Sequence, residues 1–356
     1  MAPDEGLRVG SGLDSRDPRI GEELPMDASL TTLVSLPMLL AVCLLTALPA
    51  IGGVETPVPP LPEGNTGLAA RYPGDAGIEK DRAVLFHDGF EDAVQASDLQ
   101  REWEEVIHIE NMRIVDGPAN PGAGRKAVQF TLPQRDTELA VMLQKVLTDE
   151  QEVLFLRFYS KFDPEFEIPA RASGHSGGSI SAHYFLGGRA TPGQRATGTN
   201  KFLANFETES GWREGAPLPG PLSIYIYHPE QRGDFGDHFF PTGVVLPNTS
   251  LPGNFGPHFV PRPSFVPELG RWYCYEYMLK ANTPGRRDGR VACWVDGKLV
   301  ADFPNLRLRD TNTLKIERFG VSLHLGTNTI RANRKWYDDV VAATSYIGPL
   351  AAVRPK

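Results

Sequence analysis

Polar and aromatic side chains recur on one face of four predicted strands in the second half of the chain. Residues two apart in a strand share a face, and the segments 178–186, 202–208, 222–228 and 319–325 each set a polar series against an apolar one. If these strands lie in one sheet, its open face displays His183, Asn205, Glu207, Tyr225, Tyr227 and His324. Tyrosine rings lie against the apolar faces of pyranose rings, while His, Asn and Glu hydrogen-bond sugar hydroxyls. Such a set is typical of a carbohydrate site.

The alternative is that these residues are the ordinary polar face of a half-exposed sheet. A face selected only for solubility favours Lys, Glu and Thr over His, Tyr and Asn, and here four strands agree. His175 stands just before Gly177 and Gly178, where the backbone can approach a ligand closely. A lone His is commonly a surface or turn residue, so the case for His175 depends on the strand that it introduces.

A second cluster of candidate residues is acidic. Asp88 and Glu91 follow the first predicted strand, and Asp338 lies in the last one. The first and last strands of a sandwich commonly pair, which would bring these three carboxylates together as a structural calcium site. Solvated turn carboxylates are the alternative. No cofactor is required, because the sequence shows no zinc-site spacing, phosphate-binding loop or Gly-x-Ser-x-Gly motif.

The elements that must position these residues are β-strands. The segment 272–303 predicts three antiparallel strands, because alternating runs flank a turn-rich stretch and Asp296-Gly297 supplies a second tight turn. Alternation places Cys274 and Cys293 on opposite faces, so we expect no disulfide between them. The same alternation assigns to the core Tyr275, Tyr277, Val291 and Val295. With no long helical period and recurring turn signals, the chain predicts an all-β sandwich.

Composition divides the 356 residues into three parts. Residues 1–52 contain an apolar run at 30–51, which predicts an export signal, with a retained membrane anchor as the alternative. Residues 53–82 are rich in Pro and predict an extended linker, and 83–350 predict a single β domain. The formal net charge is −8, and the part after residue 52 is close to neutral, which argues against a nucleic-acid partner.

Two predicted loops interrupt the rhythm of strands. The segment 187–200 has no apolar content to bury and predicts an exposed loop that carries Arg189 and Arg195. The segment 229–270 is long and rich in Pro, Gly and Phe. Its Phe residues argue against disorder, so we expect an ordered excursion packed over the sandwich.

Six segments occur in an order that a known family shares: DGFED, RFYSKFDPEF, SIYIYHPEQ, GRWYCYEYMLKANTPGRRDGRVACWVDGKLVADFPNLRLR, LKIERFGVSLHLG and KWYDDVV. On these segments, which span about 85–348, the chain resembles the concanavalin A-like β-jelly-roll domain of family-14 polysaccharide lyases and of related alginate and glucuronan lyases. The resemblance implies a sandwich of two antiparallel sheets. It also implies cleavage of a uronate chain by β-elimination, in which a base removes the C5 proton and an acid protonates the leaving O4.

The resemblance implies particular catalytic residues. The family's Tyr-x-Tyr matches Tyr225-Ile226-Tyr227, whose two hydroxyls would transfer protons. The family's catalytic Lys falls near His175, and its Ser-x-Arg falls near 205–207, where this chain has neither motif. Two of the three catalytic elements are therefore replaced or absent.

Replacements for the missing elements are available nearby. His175 or His183 is expected to take the place of the Lys. The expected substrate-binding residues are Asn205, Glu207, His324, Arg189 and Arg195. The predicted function is an exported or cell-surface polysaccharide lyase that acts on a uronate-containing glycan. A non-catalytic carbohydrate-binding module is the alternative, and glycoside hydrolysis is less favoured because Glu207 has no evident second carboxylate.

Overall fold

The computed structural model describes residues 60–116, 124–169, 172, 174–186, 189–209 and 217–352. Short 3₁₀-helical turns lie at Leu68–Arg71, Pro73–Asp75, Ile78–Lys80, Ala96–Arg101, Ile109–Asn111 and Leu251–Phe255. The strands of the described ranges are β1 (Val84–Asp88), β2 (Glu105–Ile107), β3 (Met112–Asp116), β4 (Lys126–Leu132), β5 (Leu139–Gln151), β6 (Val153–Phe162), β7 (Gly178–Ala182), β8 (Phe185–Leu186), β9 (Arg189–Ala190), β10 (Phe202–Thr208), β11 (Leu222–Tyr227), β12 (Asp237–Phe239), β13 (Val245–Leu246), β14 (Tyr273–Lys280), β15 (Gly289–Val295), β16 (Lys298–Leu306), β17 (Ile316–Leu325) and β18 (Asn333–Ala343). These ranges contain no α-helix, and the predicted all-β class is confirmed.

Two large antiparallel sheets form the body of the protein. The site sheet has the strand order β13-β12-β11-β10-β7-β17-β5-β2, and the back sheet has the order β16-β15-β14-β6-β18-β4-β3 with β1 paired to β18. Inward residues of both sheets share one hydrophobic core, in which the rings of Phe206 and Tyr275 meet with centroids 5.8 Å apart. The predicted sandwich of two antiparallel sheets is therefore confirmed.

The predicted three-strand meander is also present, as β14, β15 and β16 at one edge of the back sheet. Its inward side chains belong to the core as expected, because alternation along each strand decides which face a residue occupies. Tyr277 and Cys293 are cross-strand partners and both lie in this core. Cys274 is buried away from it, and both cysteines are free.

Residues 61–80 do not form the predicted linker. Leu68, Ala69 and Ile78 are buried against the outer face of the back sheet, in a cluster that includes Trp294. The indole of Trp294 donates a hydrogen bond to the carbonyl of Pro62 at 2.9 Å. The linker prediction is wrong for the described part, because scattered apolar residues between Gly and Pro are enough to cover a sheet without a regular period.

One of the two predicted loops has the expected structure, and the other is more buried than expected. The excursion after β11 is ordered as expected, and its Phe239 and Phe255 pack on Phe303 of the meander with centroids 5.4 and 5.3 Å away. The segment between β8 and β10 is more buried than its composition suggests, because Thr191 and Ala196 are buried.

The predicted export segment at 30–51 lies outside the described residues. Within the ranges given above, no helix is long and apolar enough to cross a membrane.

Candidate functional site

Strands β10 and β11 place the central residues of the candidate site on the outward face of the site sheet. Asn205 pairs in register with Tyr225, and Glu207 pairs with Ser223. Side chains one position away, such as Phe206, point into the core. The shared polar face predicted for these two strands is thus present, and the amide, carboxylate and phenol groups are neighbours on it.

His175 joins this face from the segment that precedes β7. Its backbone N–H donates to the carbonyl of His324 at 3.0 Å, and its own carbonyl accepts from the Ser322 hydroxyl at 2.9 Å, so β17 fixes its position. Gly177 permits the close approach, because a Cβ there would lie 1.8 Å from the carbonyl oxygen of Phe206. Nδ1 of His175 lies 2.8 Å from Oε2 of Glu207.

Aromatic rings stack around this His–Glu pair. The ring of Tyr225 lies between His175 and His238, with centroid distances of 4.7 Å to each. His175 also stacks on His324 at 5.3 Å. His238 was missed at the sequence level because it belongs to β12, inside the excursion. Its signal was the alternation Asp237-His238-Phe239, which puts the imidazole opposite the buried Phe239.

Burial sets the charge state of the His–Glu pair. The Glu207 side chain is fully buried and its pKa is raised well above 4.5 by that burial, although His324, Asn205 and Lys335 act in the opposite direction. Burial lowers the pKa of His175 below 6.5. A neutral imidazole is therefore favoured at neutral pH, and a neutral imidazole can accept a proton.

The other two imidazoles of the site are also favoured in the neutral form. Burial, with repulsion from His175, lowers the pKa of His238 to about 3. Burial lowers the pKa of His324, whereas its contact with Glu138 at 2.8 Å acts against that shift. Among the three rings, His175 has the most exposed side chain, at 27%, compared with 16% for His324 and 8% for His238. His175 is therefore the imidazole that a ligand can reach most easily.

The two tyrosines of the Tyr-x-Tyr segment differ in accessibility. Tyr225 is 6% exposed, its hydroxyl accepts from the N–H of Gly236 at 3.0 Å, and burial raises its pKa well above 10. Tyr227 is fully buried, and its hydroxyl accepts from the N–H of Gly193 at 3.3 Å. Tyr225 is thus a protonated phenol at the site, while Tyr227 packs behind it.

Lys201, just before β10, is the cation that the structure places beside the tyrosines. Its ammonium lies 4.7 Å from the centroid of the Tyr227 ring and 5.0 Å from that of Tyr184. Burial lowers the pKa of Lys201 to about 8. The two arginines predicted to approach from the neighbouring loop, Arg189 and Arg195, are exposed.

His183 lies apart from the His175 cluster. The predicted alternation from residue 178 to residue 186 fails here, because His183 has a positive φ of 50° and β7 ends at Ala182. Its N–H donates to Oε1 of Glu317 at 2.9 Å, and its Nε2 lies 3.6 Å from Oε2 of the same carboxylate. The structure therefore gives His183 a different partner from that of His175.

Among the described residues, three groups of His, Asp and Glu side chains have possible metal-ligand atoms close to one another. In one, an atom each of Glu207, Glu209 and His238 lie within 4.8 Å of one another. Oε2 of Glu207 already contacts His175, and Nδ1 of His238 lies 3.3 Å from the hydroxyl of Ser223. We interpret this group as part of a hydrogen-bonded cluster.

The acidic residues predicted to hold calcium accept hydrogen bonds from the protein. Strand β1 pairs with β18 as expected. The carboxylate of Asp88 accepts from the N–H of Phe90 and from the indole of Trp103, and Glu91 accepts from two backbone N–H groups at 2.6 and 2.8 Å. The carboxylate of Asp338 accepts from the following backbone N–H at 2.8 Å. The calcium site stays a prediction.

No family model matches the sequence, and no curated protein matches it. Solved structures do match in fold. Alginate lyase Aly36B, a doubly substituted form in complex with an alginate tetrasaccharide, is 16% identical over 74% of this chain and 98% of its own, with a TM-score of 0.54. Alginate lyase vAL-1 from a Chlorella virus is 13% identical over 74% and 100% of the two chains, with a TM-score of 0.51. The PL-14 alginate lyase from Aplysia kurodai is 10% identical over 73% and 99%, with a TM-score of 0.50.

The chain has the fold of these alginate lyases. The concanavalin A-like β-jelly roll and the resemblance to this group of lyases, both predicted from the sequence, are confirmed at the level of fold. At such low identity the match carries no residue roles, so the chemistry of this jelly roll must be argued from its own side chains.

Proposed function

We propose that this protein is a polysaccharide lyase that cleaves a uronate-containing glycan by β-elimination. The observation that carries the proposal is the contact between His175 and Glu207 beside the protonated Tyr225, on the outward face of a lyase-type jelly roll. His175 can accept a proton and Tyr225 can donate one, and the rings of these two residues are in contact. The alginate lyases with this fold support the choice of substrate class.

His175 acts as the base in this proposal. This role requires the ionised form of Glu207, whose carboxylate then accepts the hydrogen bond from the Nδ1–H of His175, so that the lone pair on Nε2 is available to take the C5 proton of the uronate. His324, Asn205 and Lys335 favour that form against the effect of burial. The electron pair of the C5–H bond forms the C4=C5 double bond, and the C4–O4 bond breaks. Glu207 holds the ring in place and stabilises the positive charge that His175 acquires, so it positions the base and does not touch the sugar.

Tyr225 acts as the acid. Its raised pKa keeps the phenol protonated at neutral pH, and the hydroxyl donates that proton to the departing O4. The phenolate that results is stabilised by the hydrogen bond from the N–H of Gly236. The proton on His175 then returns to solvent, and one from solvent restores Tyr225.

Binding of the uronate falls to groups at the opening of the site. Asn205 and His324 are half-buried, and both neighbour the His175–Glu207 pair. The amide N–H of Asn205 can donate a hydrogen bond to a carboxylate, whereas the single N–H of neutral His324 is donated to Glu138, which leaves Nδ1 of His324 to accept from a sugar hydroxyl. The bond from Asn205 makes the C5 proton more acidic, because it stabilises the charge that develops on the carboxylate as the proton leaves.

An absorbance assay tests the proposal. We expect the protein to generate ultraviolet absorbance from the unsaturated uronate end when incubated with alginate or glucuronan, and none with a neutral glucan. His175→Gln and Tyr225→Phe should each lower the rate by ~100-fold or more. Lys280→Ala, at an exposed position on the back sheet, should keep the parent rate. Absence of a signal on every uronate polymer would reject the proposal. The proposal also includes export of the protein, directed by the apolar segment at 30–51. Detection of the protein outside the cell tests this part.

A further inference from the structure

The back sheet carries a row of side chains on its outer face that the proposed activity does not use. One half of this face is covered by residues 61–80 and by the chain after β18. The other half presents Trp336 of β18 and Lys161 of β6, which are direct cross-strand partners. Trp272 immediately precedes β14, whose first residue pairs with Ser160, so Trp272 flanks Lys161 on the other side.

The lysine lies between the two indoles. Nζ of Lys161 is 4.8 Å from the ring centroid of Trp336 and 5.2 Å from that of Trp272. All three side chains are half-buried, and neither indole belongs to a hydrophobic cluster of the described residues. Large indoles left at the surface usually contact a ligand or partner, since burying them in the protein would be favourable.

Polar groups extend the row across two more strands. Trp336 pairs with Gln129 of β4, and Gln129 pairs with Arg113 of β3. Gln129 is half-buried and Arg113 is exposed. With neighbouring strands ~4.8 Å apart, the five positions span ~19 Å. The row is therefore long enough for several consecutive sugar rings.

We propose that this row, formed by Trp272, Lys161, Trp336, Gln129 and Arg113, is a second binding surface for an acidic glycan chain. The indoles suit the apolar faces of pyranose rings. Lys161 and Arg113 complement carboxylates on the same chain, while Gln129 can hydrogen-bond hydroxyls. The occupant is a uronate-containing polysaccharide, which this surface holds without cleaving it.

Charge favours an acidic occupant over a neutral one. Arg334, two residues before Trp336 in β18, adds a third cation on the same face, and its contact with Asp163 is 3.3 Å long. Asp163 also lies close enough to Lys161 to interact with it. Lys161, Arg113 and Arg334 therefore place three cations along this half of the sheet, where Asp163 and the buried Asp338 are nearby carboxylates.

The surface lies on the outer face of the back sheet, whereas the His175 cluster lies on the outward face of the site sheet. One polymer can thus be held at a place remote from the cleavage site, which raises the local concentration of scissile bonds. Short oligosaccharides gain nothing from this surface, because they occupy the cleavage site alone.

Affinity electrophoresis in gels that contain alginate or glucuronan tests the inference on the full chain. The parent should be retarded, and Trp272→Ala/Trp336→Ala should weaken the apparent affinity about 10-fold or more. Lys161→Gln should weaken it less and reduce its salt dependence. Lys280→Ala, a cation change elsewhere on the same sheet, should leave retardation unchanged, and a gel with neutral dextran should retard none of the proteins.

Four results would overturn the inference: no retardation of the parent, equal retardation of the double variant, equal retardation in dextran, or a change of oligomeric state in the double variant on sedimentation. The last would assign the row to contact between copies of the chain. Elimination from a uronate trisaccharide, measured by absorbance, should be the same in parent and double variant. Retardation that depends on the indoles without any elimination would keep this inference and reject the proposed lyase.

Discussion

At the scale of single residues, proton abstraction by His175 depends on how Glu207 holds the imidazole. Glu207 is fully buried and contacts Nδ1, so Nε2 points away from it. Replacing Glu207 by Gln keeps the size but removes the charge that stabilises protonated His175. We expect Glu207→Gln to lower kcat by roughly 100-fold with little change in KM.

A matched control for this substitution is Glu138→Gln. Glu138 contacts Nε2 of His324 at the same 2.8 Å, but its side chain is 61% exposed. An exposed pair contributes little, so the rate should fall by less than about 5-fold. Initial rates of double-bond formation measure both variants, and equal losses in the two would contradict a special role for Glu207.

The pH dependence of the reaction follows from the same residues. The base requires a neutral His175, which burial favours, and an ionised Glu207, which burial opposes, so kcat/KM should fall on the acidic side as the pair takes up a second proton. The acid must be protonated, and the raised pKa of Tyr225 predicts no alkaline loss up to pH 10. The titratable groups that face His175 are Glu207, Glu209, Glu138, His238, His324 and Tyr225.

A profile of kcat/KM against pH, restricted to the range in which the fold is intact by circular dichroism, checks this expectation. Absence of any acidic limb would show that His175 is not the base. An alkaline limb below pH 9 would show that Tyr225 is not the acid.

Alternation predicted part of the site and missed the rest for identifiable reasons. Glu207 and Tyr225 were placed correctly on one face because β10 and β11 are regular. His183 was misplaced because a single positive φ ends its strand. His238 was missed because nothing local shows that a three-residue strand in a long excursion joins the sheet.

At the scale of elements, the segments that cover the back sheet stabilise it through buried polar groups. Glu276 of β14 accepts hydrogen bonds from the N–H groups of Ile347 and Gly348, both at 2.8 Å. Burial raises the pKa of Glu276 to about 7, from 4.5. Because the folded-state pKa is the higher one, the stabilisation from this group is complete below pH 4.5 and is lost as the pH rises through 7.

The free energy of unfolding should therefore contain a term from Glu276 that falls by about 3 kcal/mol between pH 4.5 and 7. Glu276→Gln should lack this fall, and at pH 4.5 it should be less stable than the parent by about 1–3 kcal/mol, because one N–H loses its acceptor. Urea unfolding at several pH values measures the difference, with the exposed Glu268→Gln as control. A difference that does not change with pH would contradict the assignment.

The segment before β1 supplies a buried carboxylate to the same sheet. The guanidinium of Arg157 is fully buried, forms an ion pair with Asp75 and donates to the carbonyls of Gly348 and Asp339 at 3.3 and 3.2 Å. Asp75→Asn leaves the cation without its counter-charge, so we expect a loss of about 3–5 kcal/mol of stability. Asn tolerates the positive φ of 56° at this position, so the backbone is not strained by the change.

Asp81→Asn is the matched control, because its partner Arg71 is 61% exposed and a solvent-screened pair contributes little to stability. Urea unfolding at constant pH compares the two variants. Similar losses for both would show that residues 61–80 are held by something other than the Arg157 pair.

The three strands of the meander could be predicted from the sequence, but the segments that pack on its outer face could not. Tyr277 and Val291 lie in regularly alternating strands, and turn-forming residues separate the strands of the meander, so local rules suffice. Trp294 and Glu276 point away from the core, and only the folded arrangement shows that residues 61–80 and the chain after β18 cover them. Pro-rich composition indicated a linker because composition does not reveal which distant surface a segment meets.

At the scale of the whole molecule, the sequence was informative about fold class and uninformative about which strand lies in which sheet. Neighbours such as β7 and β17 are far apart in the chain, and such pairing is decided by long-range packing. The resulting sandwich has a cluster of proton-transfer groups on one sheet and an indole–lysine row on the other. We propose the same kind of acidic polymer as the ligand of both surfaces.

The proposed lyase cleaves its substrate by elimination and not by hydrolysis. Mass spectrometry of the products formed from alginate or glucuronan in water enriched in oxygen-18 tests it most directly, since hydrolysis adds solvent oxygen to a product and elimination does not. We predict products with an unsaturated uronate at the new non-reducing end, one water lighter than hydrolysis products, and free of the label when the reducing ends are reduced at once, before they exchange oxygen with solvent. Saturated products that carry the label, or an unchanged polymer, would contradict the account.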